Sequence, residues 1–375
     1  MIMQYFATVA RGLEPLAAAE LKKLGAKTVE PGFCGVSFEG DRNLLYRVNL
    51  WARLPFRILV KLDEVPSQDA NALYSGIQQI NWGDYLTPDQ TLAVRATGKN
   101  QQLNHTHFTA VQVKNAIVDQ QDAQFGERSN VDTQLPDVLV NVHIEQDQCV
   151  VSLDSSGSSL HRRGYRPAMG VAPLKESLAA ALIQLSEWTP DQAFFDPLCG
   201  SGTLPIEASL QALNIAPGLF REQFGFETWP DFDEDLWEQL QQEARQVQKE
   251  KLSAVIGGCD RNPDIIDQAR TNAQHSSVIW HVKLNCVELA DVEPPADQGV
   301  IICNPPYGER IGNKAELGEF YKQLGNVFKQ RFKGWTAYVL SGNKELASTI
   351  GLKSAKRFPV YNGSIPCQLM KYEMY

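Results

Sequence analysis

The sequence has little that is typical of a membrane, secreted or metal-binding protein. No run of about 18 or more apolar residues occurs along its 375 residues, so we expect no membrane-spanning helix. Residues 1–6 lack the basic and long apolar stretches of a signal peptide. The seven cysteines are scattered, odd in number and without a Cys-x-x-Cys pair, which argues against a disulfide framework and a zinc site. These absences predict a cytoplasmic protein with reduced thiols and no metal.

Positive charge is also scarce. The chain has 35 Lys and Arg against 44 Asp and Glu, and its net charge is −9. This balance argues weakly against a nucleic-acid partner, because phosphates bind Lys and Arg. A local basic patch can nevertheless bind RNA while the remaining surface is acidic. Much of the acid lies in residues 222–250, inside a segment, 214–252, that we predict to be an insertion.

Two halves of the chain differ in how strands and helices alternate. We predict a small α+β piece over residues 1–50 and a second α+β module over 51–160, because neither has a regular βαβ rhythm. From residue 161 to 375, strands alternate with helices, which predicts an α/β domain with a doubly wound, mostly parallel sheet. One of its strands is predicted at 278–282. The second half of the insertion is predicted to be helical, with a solvated polar face.

A glycine turn follows the first strand of this predicted sheet. The sequence there is Asp196-Pro197-Leu198-Cys199-Gly200-Ser201-Gly202. Two glycines allow a sharp turn with a ligand lying against the backbone. A dinucleotide-binding fingerprint requires a third glycine where Pro205 stands, so that reading is disfavoured. A carboxylate just before the turn suits an amine-bearing ligand better than a pyrophosphate. The alternative is an ordinary tight turn with a capping acid.

A second acid, Asp260, ends the next predicted strand after Gly257-Gly258-Cys259. A carboxylate at that place can accept hydrogen bonds from both hydroxyls of a ribose. S-adenosylmethionine has a ribose, an adenine, an amino group and a sulfonium, but no phosphate. It therefore matches two carboxylates and a glycine turn, and we predict cofactor contacts at Asp196, Cys199, Gly200, Ser201, Gly202 and Asp260.

Asn304-Pro305-Pro306-Tyr307 directly follows an apolar run, 299–303, that is predicted to be a buried strand. Open α/β sheets bind ligands at the carboxyl ends of their strands, so this loop and the glycine turn should border one cleft. The exocyclic amine of a base is a poor nucleophile because its lone pair is delocalised into the ring. Acceptor oxygens on the Asn304 side chain and the Pro305 carbonyl would hold the two N–H groups and free the lone pair for attack on a methyl group.

The other residues of the loop fit the same chemistry. Prolines 305 and 306 restrict φ and remove competing N–H donors. Tyr307 offers a ring on which an extruded or single-stranded base can stack. The alternative is a plain proline-rich surface loop. Its position after a buried strand favours the catalytic interpretation, with Asn304, Pro305, Pro306 and Tyr307 as catalytic residues.

The two motifs together resemble those of THUMP-domain-containing RNA methyltransferases, in particular the bacterial large-subunit ribosomal RNA guanine-N2 methyltransferases. The resemblance covers nearly the whole chain and includes Arg11-Gly12-Leu13-Glu14, residues 108–119 and 135–157, the connector segments 160–166 and 172–176, and the continuation 308–312. It implies a ferredoxin-like piece (1–50), a THUMP RNA-binding module (51–160) and a Rossmann-like methyltransferase domain (161–375). It also implies methyl transfer from S-adenosylmethionine to guanine N2, most simply in 23S ribosomal RNA.

One position departs from the family pattern, and one cluster adds to it. Asn285 stands where the family usually has an Asp that reads the adenine, and we assign it the same contact. Arg162, Arg163, Tyr165 and Arg166 combine cations with an aromatic ring, which suits RNA, and Lys99 lies in a polar stretch that could face RNA. The alternative for the cluster is a solvated linker.

Several other functions remain open. The enzyme could act on a guanine of tRNA, or on adenine, cytosine or a protein glutamine amide, because Asn-Pro-Pro-Tyr also serves those amines. A catalytically inactive RNA-binding protein is a further alternative, although intact Asp196, Asp260 and Asn304 argue against it. A nicotinamide dehydrogenase is the weakest alternative because of Pro205.

Overall fold

The computed structural model describes residues 2–167, 174–307 and 314–375. The first sheet contains β1 (Met3–Thr8), β2 (Lys27–Gly32), β3 (Gly35–Gly40), β4 (Arg57–Pro66), β5 (Leu92–Gly98), β6 (Val138–Glu145) and β7 (Gln148–Asp154). The helices of this half are α1 (Glu14–Lys23), α2 (Arg42–Trp51), α3 (Ala70–Ile77) and α4 (Thr106–Phe125). The strand order is β2-β3-β1-β4-β7-β6-β5, with only β5 and β6 parallel. Since β4 pairs with both β1 and β7, the N-terminal piece and the following module share one continuous sheet.

The second sheet contains β8 (Ala193–Asp196), β9 (Ile256–Asp260), β10 (Val282–Cys286), β11 (Gly299–Cys303), β12 (Thr336–Ser341), β13 (Lys356–Asn362) and β14 (Ile365–Glu373). Its helices are α5 (Glu176–Leu185), α6 (Thr203–Ala212), α7 (Glu234–Gln246), α8 (Pro263–His275), α9 (Lys314–Arg331) and α10 (Lys344–Thr349). The order is β10-β9-β8-β11-β12-β14-β13, and β14 alone runs against its neighbours. The predicted seven-stranded, mostly parallel Rossmann-like sheet is confirmed.

Strand β11 shows why this half folds as a parallel sheet. Its apolar residues 300–303 are all buried. Ile302 packs into the hydrophobic core on one face of the sheet, and Ile301 packs into the core on the other face. A strand covered by helices on both faces reads as a continuous apolar run, which is the pattern in the sequence. The chain reverses its direction of winding between β8 and β11, which opens a crevice at their carboxyl ends.

The acidic insertion packs against the N-terminal module. The Tyr46 ring of α2 stacks on Phe226 at 4.4 Å, and the backbone N–H of Asp233 donates to the Tyr46 hydroxyl at 3.0 Å. Thr228 donates to the carbonyl of Asp137 at 2.5 Å. Helix α7 is polar on one side, as predicted, but buries Trp237 on the other. The insertion therefore ties the methyltransferase half to both parts of the first sheet.

Some elements differ from the sequence-based predictions. A strand predicted at 278–282 is wrong, because Val278 ends the turn after α8, where its N–H donates to the carbonyl of Ala273, and β10 begins only at Val282. Strand β2 was not predicted, because it is an edge strand without an apolar alternation. Within the described ranges, no helix is both long and apolar enough to cross a membrane.

Candidate active site

The carboxyl ends of four neighbouring strands carry most of the predicted site residues. Asp196 ends β8 and is paired in register with Gly258 of β9, two residues before Asp260. On the far side of β9, Asn285 of β10 pairs with Cys259. Asn304 directly follows β11, which pairs with β8. Parallel strands bring these local motifs, which are up to about 100 residues apart in sequence, to one edge of the sheet.

The glycine turn has the backbone conformation that only glycine adopts readily. Gly200 and Gly202 have φ values of 53° and 85°. A Cβ at Gly202 would lie 3.1 Å from the Cβ of Ala269 on α8, so the turn packs tightly on that side. A Cβ at Gly200 would meet nothing within 4 Å. The turn is therefore open at Gly200, where a ligand can lie against the backbone.

Two carboxyl groups flank this turn. Asp196 is 2% exposed, and its Oδ1 accepts from the N–H of Leu198 at 3.0 Å. Asp260 accepts from the N–H of Gly200 at 3.3 Å and from that of Asn262 at 3.0 Å. Burial, together with the nearby Asp260, raises the pKa of Asp196 well above its usual value. Neither acid forms an ion pair with a described Lys or Arg side chain. A ligand that brings positive charge would therefore relieve the electrostatic cost of this arrangement.

The loop after β11 contains an unusual acceptor. The Oδ1 atom of Asn304 is buried and has no hydrogen-bond partner among the described residues. An unsatisfied buried acceptor is unfavourable, and such groups in native proteins frequently serve a ligand. Pro305 is buried and Pro306 half-buried. The Asn304 side chain therefore provides an oxygen that can accept a hydrogen bond from an amine N–H.

Tyr307 is fixed by residues that the sequence did not single out. Its hydroxyl accepts a hydrogen bond from the Asn362 side chain at 2.7 Å, and its ring lies against Gly342, where a Cβ would be 3.2 Å from the ring carbons. Both partners come from the C-terminal part of the sheet. No local pattern marks them, because they matter only through contact with a loop that precedes them by at least 35 residues. The motif continuation 308–312 lies outside the described residues.

Two residues of the predicted RNA-binding cluster are inside the protein, which corrects that expectation. Arg163 and Tyr165 are 2% and 1% exposed. Arg163 donates to the carbonyl of Arg53 at 2.6 Å, and both Arg163 and the Tyr165 hydroxyl contact Glu207, at 3.4 and 3.1 Å. Arg163 is paired with a buried carboxylate, and Tyr165 contacts the same group. Both residues therefore hold the connector between the two halves and do not present a surface to RNA.

The other residues that were predicted to bind RNA are less buried than Arg163 and Tyr165. Arg166 is half-buried, donates to the Thr203 hydroxyl at the start of α6 and forms an ion pair with Glu176 at 3.4 Å. Arg162 and Lys99 are exposed. Glu207 was missed, although a single acid within the otherwise apolar stretch of α6 is a signal for a buried partner. The predicted connector residues 172 and 173 are outside the described ranges.

A metal-binding cluster is not found in the part of the chain that the structure describes: no three His, Cys, Asp or Glu side chains converge there. Cys199, Cys259 and Cys303 are buried near the crevice, and burial raises the pKa of all three thiols. They are therefore held as neutral thiols. Among the described residues, the polar groups of the predicted site are the two carboxylates, the glycine backbone, the Ser201 hydroxyl, Asn285 and Asn304.

Three family models match the chain in succession. An RlmL ferredoxin-like domain matches residues 4–59, a THUMP domain matches 67–154, and an RMKL-like methyltransferase domain matches 163–371. Slr0064 of Synechocystis, named as a candidate RNA methyltransferase, is 56% identical over 371 residues, which cover 99% of this chain and 97% of that protein. Ribosomal RNA large subunit methyltransferase K/L of Methylococcus capsulatus is 42% identical over 381 residues. The alignment covers all of this chain but 52% of that protein, so the chain spans about half the length of the K/L relatives.

Solved structures agree with these matches. SMU.472, described as a candidate methyltransferase complexed with SAH, has a TM-score of 0.90 and 31% identity, with 100% of this chain and 98% of that chain covered. A Listeria monocytogenes protein, described as a predicted N6-adenine-specific DNA methylase, has a TM-score of 0.89 and 31% identity, with coverages of 100% and 97%. The chain therefore belongs to the THUMP-domain-containing family of RNA methyltransferases whose catalytic half is an RMKL-like methyltransferase domain.

Proposed function

We propose that this protein transfers a methyl group from S-adenosylmethionine to the exocyclic N2 amine of a guanine in ribosomal RNA of the large subunit, in the cytoplasm. The observation that carries the proposal is the buried, unpartnered Oδ1 atom of Asn304 at the carboxyl end of β11. Asn304 directly follows β11, which pairs with β8, the strand that ends at Asp196.

The donor site is assigned to the glycine turn and the strand ends beside it. S-adenosylmethionine, when bound, supplies an electrophilic methyl group on a cationic sulfur. Asp196 offers a buried carboxyl group to the positive charge, and Asp260 offers oxygens to the ribose hydroxyls. Gly200 leaves room for the ligand against the backbone, and the exposed Asn285 would accept or donate at the adenine edge. The SAH bound to the SMU.472 protein supports this choice of ligand class.

The acceptor site is assigned to the loop after β11. Asn304 Oδ1 and the Pro305 carbonyl would each accept one N–H of the guanine amine, which turns the nitrogen lone pair out of conjugation with the ring. Tyr307, held by Asn362 and Gly342, would stack on the extruded base. Positioning contributes most to such a reaction, because both reactants are held at the distance and angle of attack.

The choice of guanine in large-subunit ribosomal RNA rests on the names of the K/L relatives and on the matched THUMP domain. Adenine is the second candidate, favoured by the description of the Listeria relative. Both bases carry a flattened NH₂ group, so the Asn304 acceptor serves either. The proposal does not include any activity located in the part of the K/L relatives that lies outside the alignment.

Nucleoside mass spectrometry tests the proposal. Ribosomal and transfer RNA are isolated from four strains and digested to nucleosides. The strains carry the unaltered gene, a deletion of the gene, a gene encoding Asn304→Ala or, as a matched control, a gene encoding Trp280→Ala. Trp280 is 92% exposed and precedes β10, at the end of the sheet away from the site. We expect N2-methylguanosine in large-subunit RNA to fall in the deletion and to return with the control but not with Asn304→Ala. Loss of N6-methyladenine in place of N2-methylguanosine would show that the target base is adenine. Loss confined to tRNA would show that the substrate is tRNA and not ribosomal RNA.

A further inference from the structure

An exposed cation–aromatic surface links the N-terminal module to the methyltransferase domain. It consists of Arg11, Phe33 and Tyr361, and is called the stacking platform here. The Arg11 guanidinium lies 5.4 Å from the centroid of the Tyr361 ring and 6.0 Å from that of the Phe33 ring. Phe33 is 80% exposed. A guanidinium group beside two aromatic rings offers faces on which a nucleic-acid base can stack.

The platform is held in shape by one carboxylate. Glu14 accepts from the N–H of Gly12 at 2.7 Å and from the N–H of Cys34 at 3.1 Å. The first bond fixes the loop that carries Arg11, and the second fixes the β2–β3 turn that carries Phe33. Arg11 itself makes no hydrogen bond or ion pair with any described residue, so its charge is available to a phosphate.

The platform is continuous with the proposed base-stacking residue. Tyr361 is the neighbour of Asn362, which donates to the Tyr307 hydroxyl. Tyr361 also lines a cavity of about 640 Å³ together with Lys344 and Gly342, and Gly342 abuts the Tyr307 ring. A volume of this size is in the range of sites for one small ligand or nucleotide. An RNA strand whose target base lies on Tyr307 would therefore pass the platform with an adjacent nucleotide.

We propose that Arg11, Phe33 and Tyr361 bind an unpaired nucleotide next to the methylated one, with its base stacked on the platform and its phosphate near Arg11 or Lys344. The proposal rests on the proposed RNA methyltransferase function. A base extruded from its stack leaves its neighbours without stacking partners, and aromatic rings and guanidinium planes replace those partners for any base sequence. The platform would thus recognise single-stranded or opened RNA at the target and would contribute little sequence specificity.

Binding of short RNA to the full-length chain tests this assignment. Fluorescence anisotropy is measured with a labelled single-stranded RNA of nine nucleotides, one guanine flanked by uridines, for the unaltered chain and for Arg11→Ala, Phe33→Ala and Trp280→Ala. We expect a loss of affinity of about 5- to 100-fold for each platform variant, as base stacking implies, and none for the Trp280 control. Arg11→Lys, which keeps the charge but loses the planar face, should recover part of the loss, and Phe33→Trp nearly all of it.

A second measurement separates this inference from the enzyme assignment. Calorimetric titration with S-adenosylmethionine should give the same affinity for all variants, because the platform does not touch the glycine turn. If the unaltered chain binds and methylates RNA while the platform variants match the Trp280 control, the platform assignment is overturned and the enzyme assignment stands. If the unaltered chain binds S-adenosylmethionine but binds and methylates no RNA, both are overturned.

Discussion

The side chain of Asn362, the last residue of β13, donates a 2.7 Å hydrogen bond to the hydroxyl of Tyr307, in the loop after β11. The two residues are 55 positions apart in sequence. Asn362 thus holds the ring on which we propose that the base stacks, although it stands outside the motif that marks the site. In this proposal the C-terminal hairpin, β13 and β14, borders the substrate side of the crevice.

Replacement of Asn362 by Ala should loosen the Tyr307 ring without altering the donor site. One neutral hydrogen bond contributes about 0.5–1.5 kcal/mol, so we expect the KM for RNA to rise about 2- to 10-fold. The affinity for S-adenosylmethionine should not change. Steady-state methylation at varied RNA concentration measures the first quantity, and calorimetry the second. Asn362→Gln should rescue part of the KM, and a loss confined to thermal stability would contradict a positioning role.

Replacement of Asn304 by Ala should lower the turnover number about a hundredfold or more, because the proposed acceptor for an N–H of the reacting amine is lost. The fold should not suffer, since Oδ1 makes no hydrogen bond with a described residue and its removal eliminates a buried unsatisfied acceptor. Single-turnover methyl transfer and thermal unfolding measure the two effects. Undiminished methylation, or a large drop in Tm, would refute the assigned role.

Replacement of Asp260 by Ala should weaken S-adenosylmethionine binding. Hydrogen bonds to a charged group contribute about 1.5–3 kcal/mol, so we expect the Kd to rise about 10- to 150-fold. Asp267→Ala is the matched control, because Asp267 is an exposed acid on α8 whose partner is Arg270. Calorimetric titration of both variants gives the comparison. Equal affinities in the two variants would remove Asp260 from the site.

The raised pKa of Asp196 predicts that the stability of the folded protein depends on pH. Burial and Asp260 raise its pKa in the folded protein, so the folded state holds this proton to higher pH than the unfolded state does. The resulting contribution to stability is complete below the unfolded pKa and is lost as the pH rises through the folded pKa. Asp196→Asn should therefore have a higher Tm than the unaltered chain at neutral pH without ligand, and the gap should close in acid. Calorimetric unfolding from pH 4 to 8 measures it; a constant gap would contradict the raised pKa.

The raised pKa of Asp196 should also make ligand binding depend on pH. A cationic ligand favours the ionised form of Asp196, so binding should release protons and strengthen as the pH rises. Titration of S-adenosylmethionine in two buffers of different ionisation enthalpy counts the protons. Proton release that persists in Asp196→Asn would assign the effect to another group.

The buried contact between the two halves should be the most costly to break. Glu207 lies 3.4 Å from Arg163 and 3.8 Å from Arg53, and all three side chains are buried. Glu207→Gln removes the carboxylate charge that is paired with both buried guanidinium groups, which costs about 3–5 kcal/mol of unfolding free energy. Glu64→Gln, which breaks an exposed pair with Lys61, should cost less than about 1 kcal/mol. Denaturant unfolding compares them, and similar midpoints would show that the network contributes little.

Features that are encoded in a short stretch of sequence could be predicted from the sequence. The glycine turn, Asp260 and the Asn304 loop are each encoded within about ten consecutive residues. Parallel strand order then places the strand ends together, so the motifs and the doubly wound fold were predictable. The strand predicted at 278–282 failed because a buried apolar residue, Val278, closes a helix there and does not begin a strand.

Features that depend on distant contacts were not predictable. The charge of Arg163 suggests a surface, and only the fold shows that it meets Glu207 44 positions away and is buried. The sequence of the acidic insertion predicts a solvated helix, yet its aromatic residues pack on Tyr46, which lies 180 residues before Phe226. Arg11 and Tyr361 are 350 residues apart and meet only because the loop after β1 packs against β13. A side chain's burial and partners depend on packing between elements, and a local residue pattern does not contain that information.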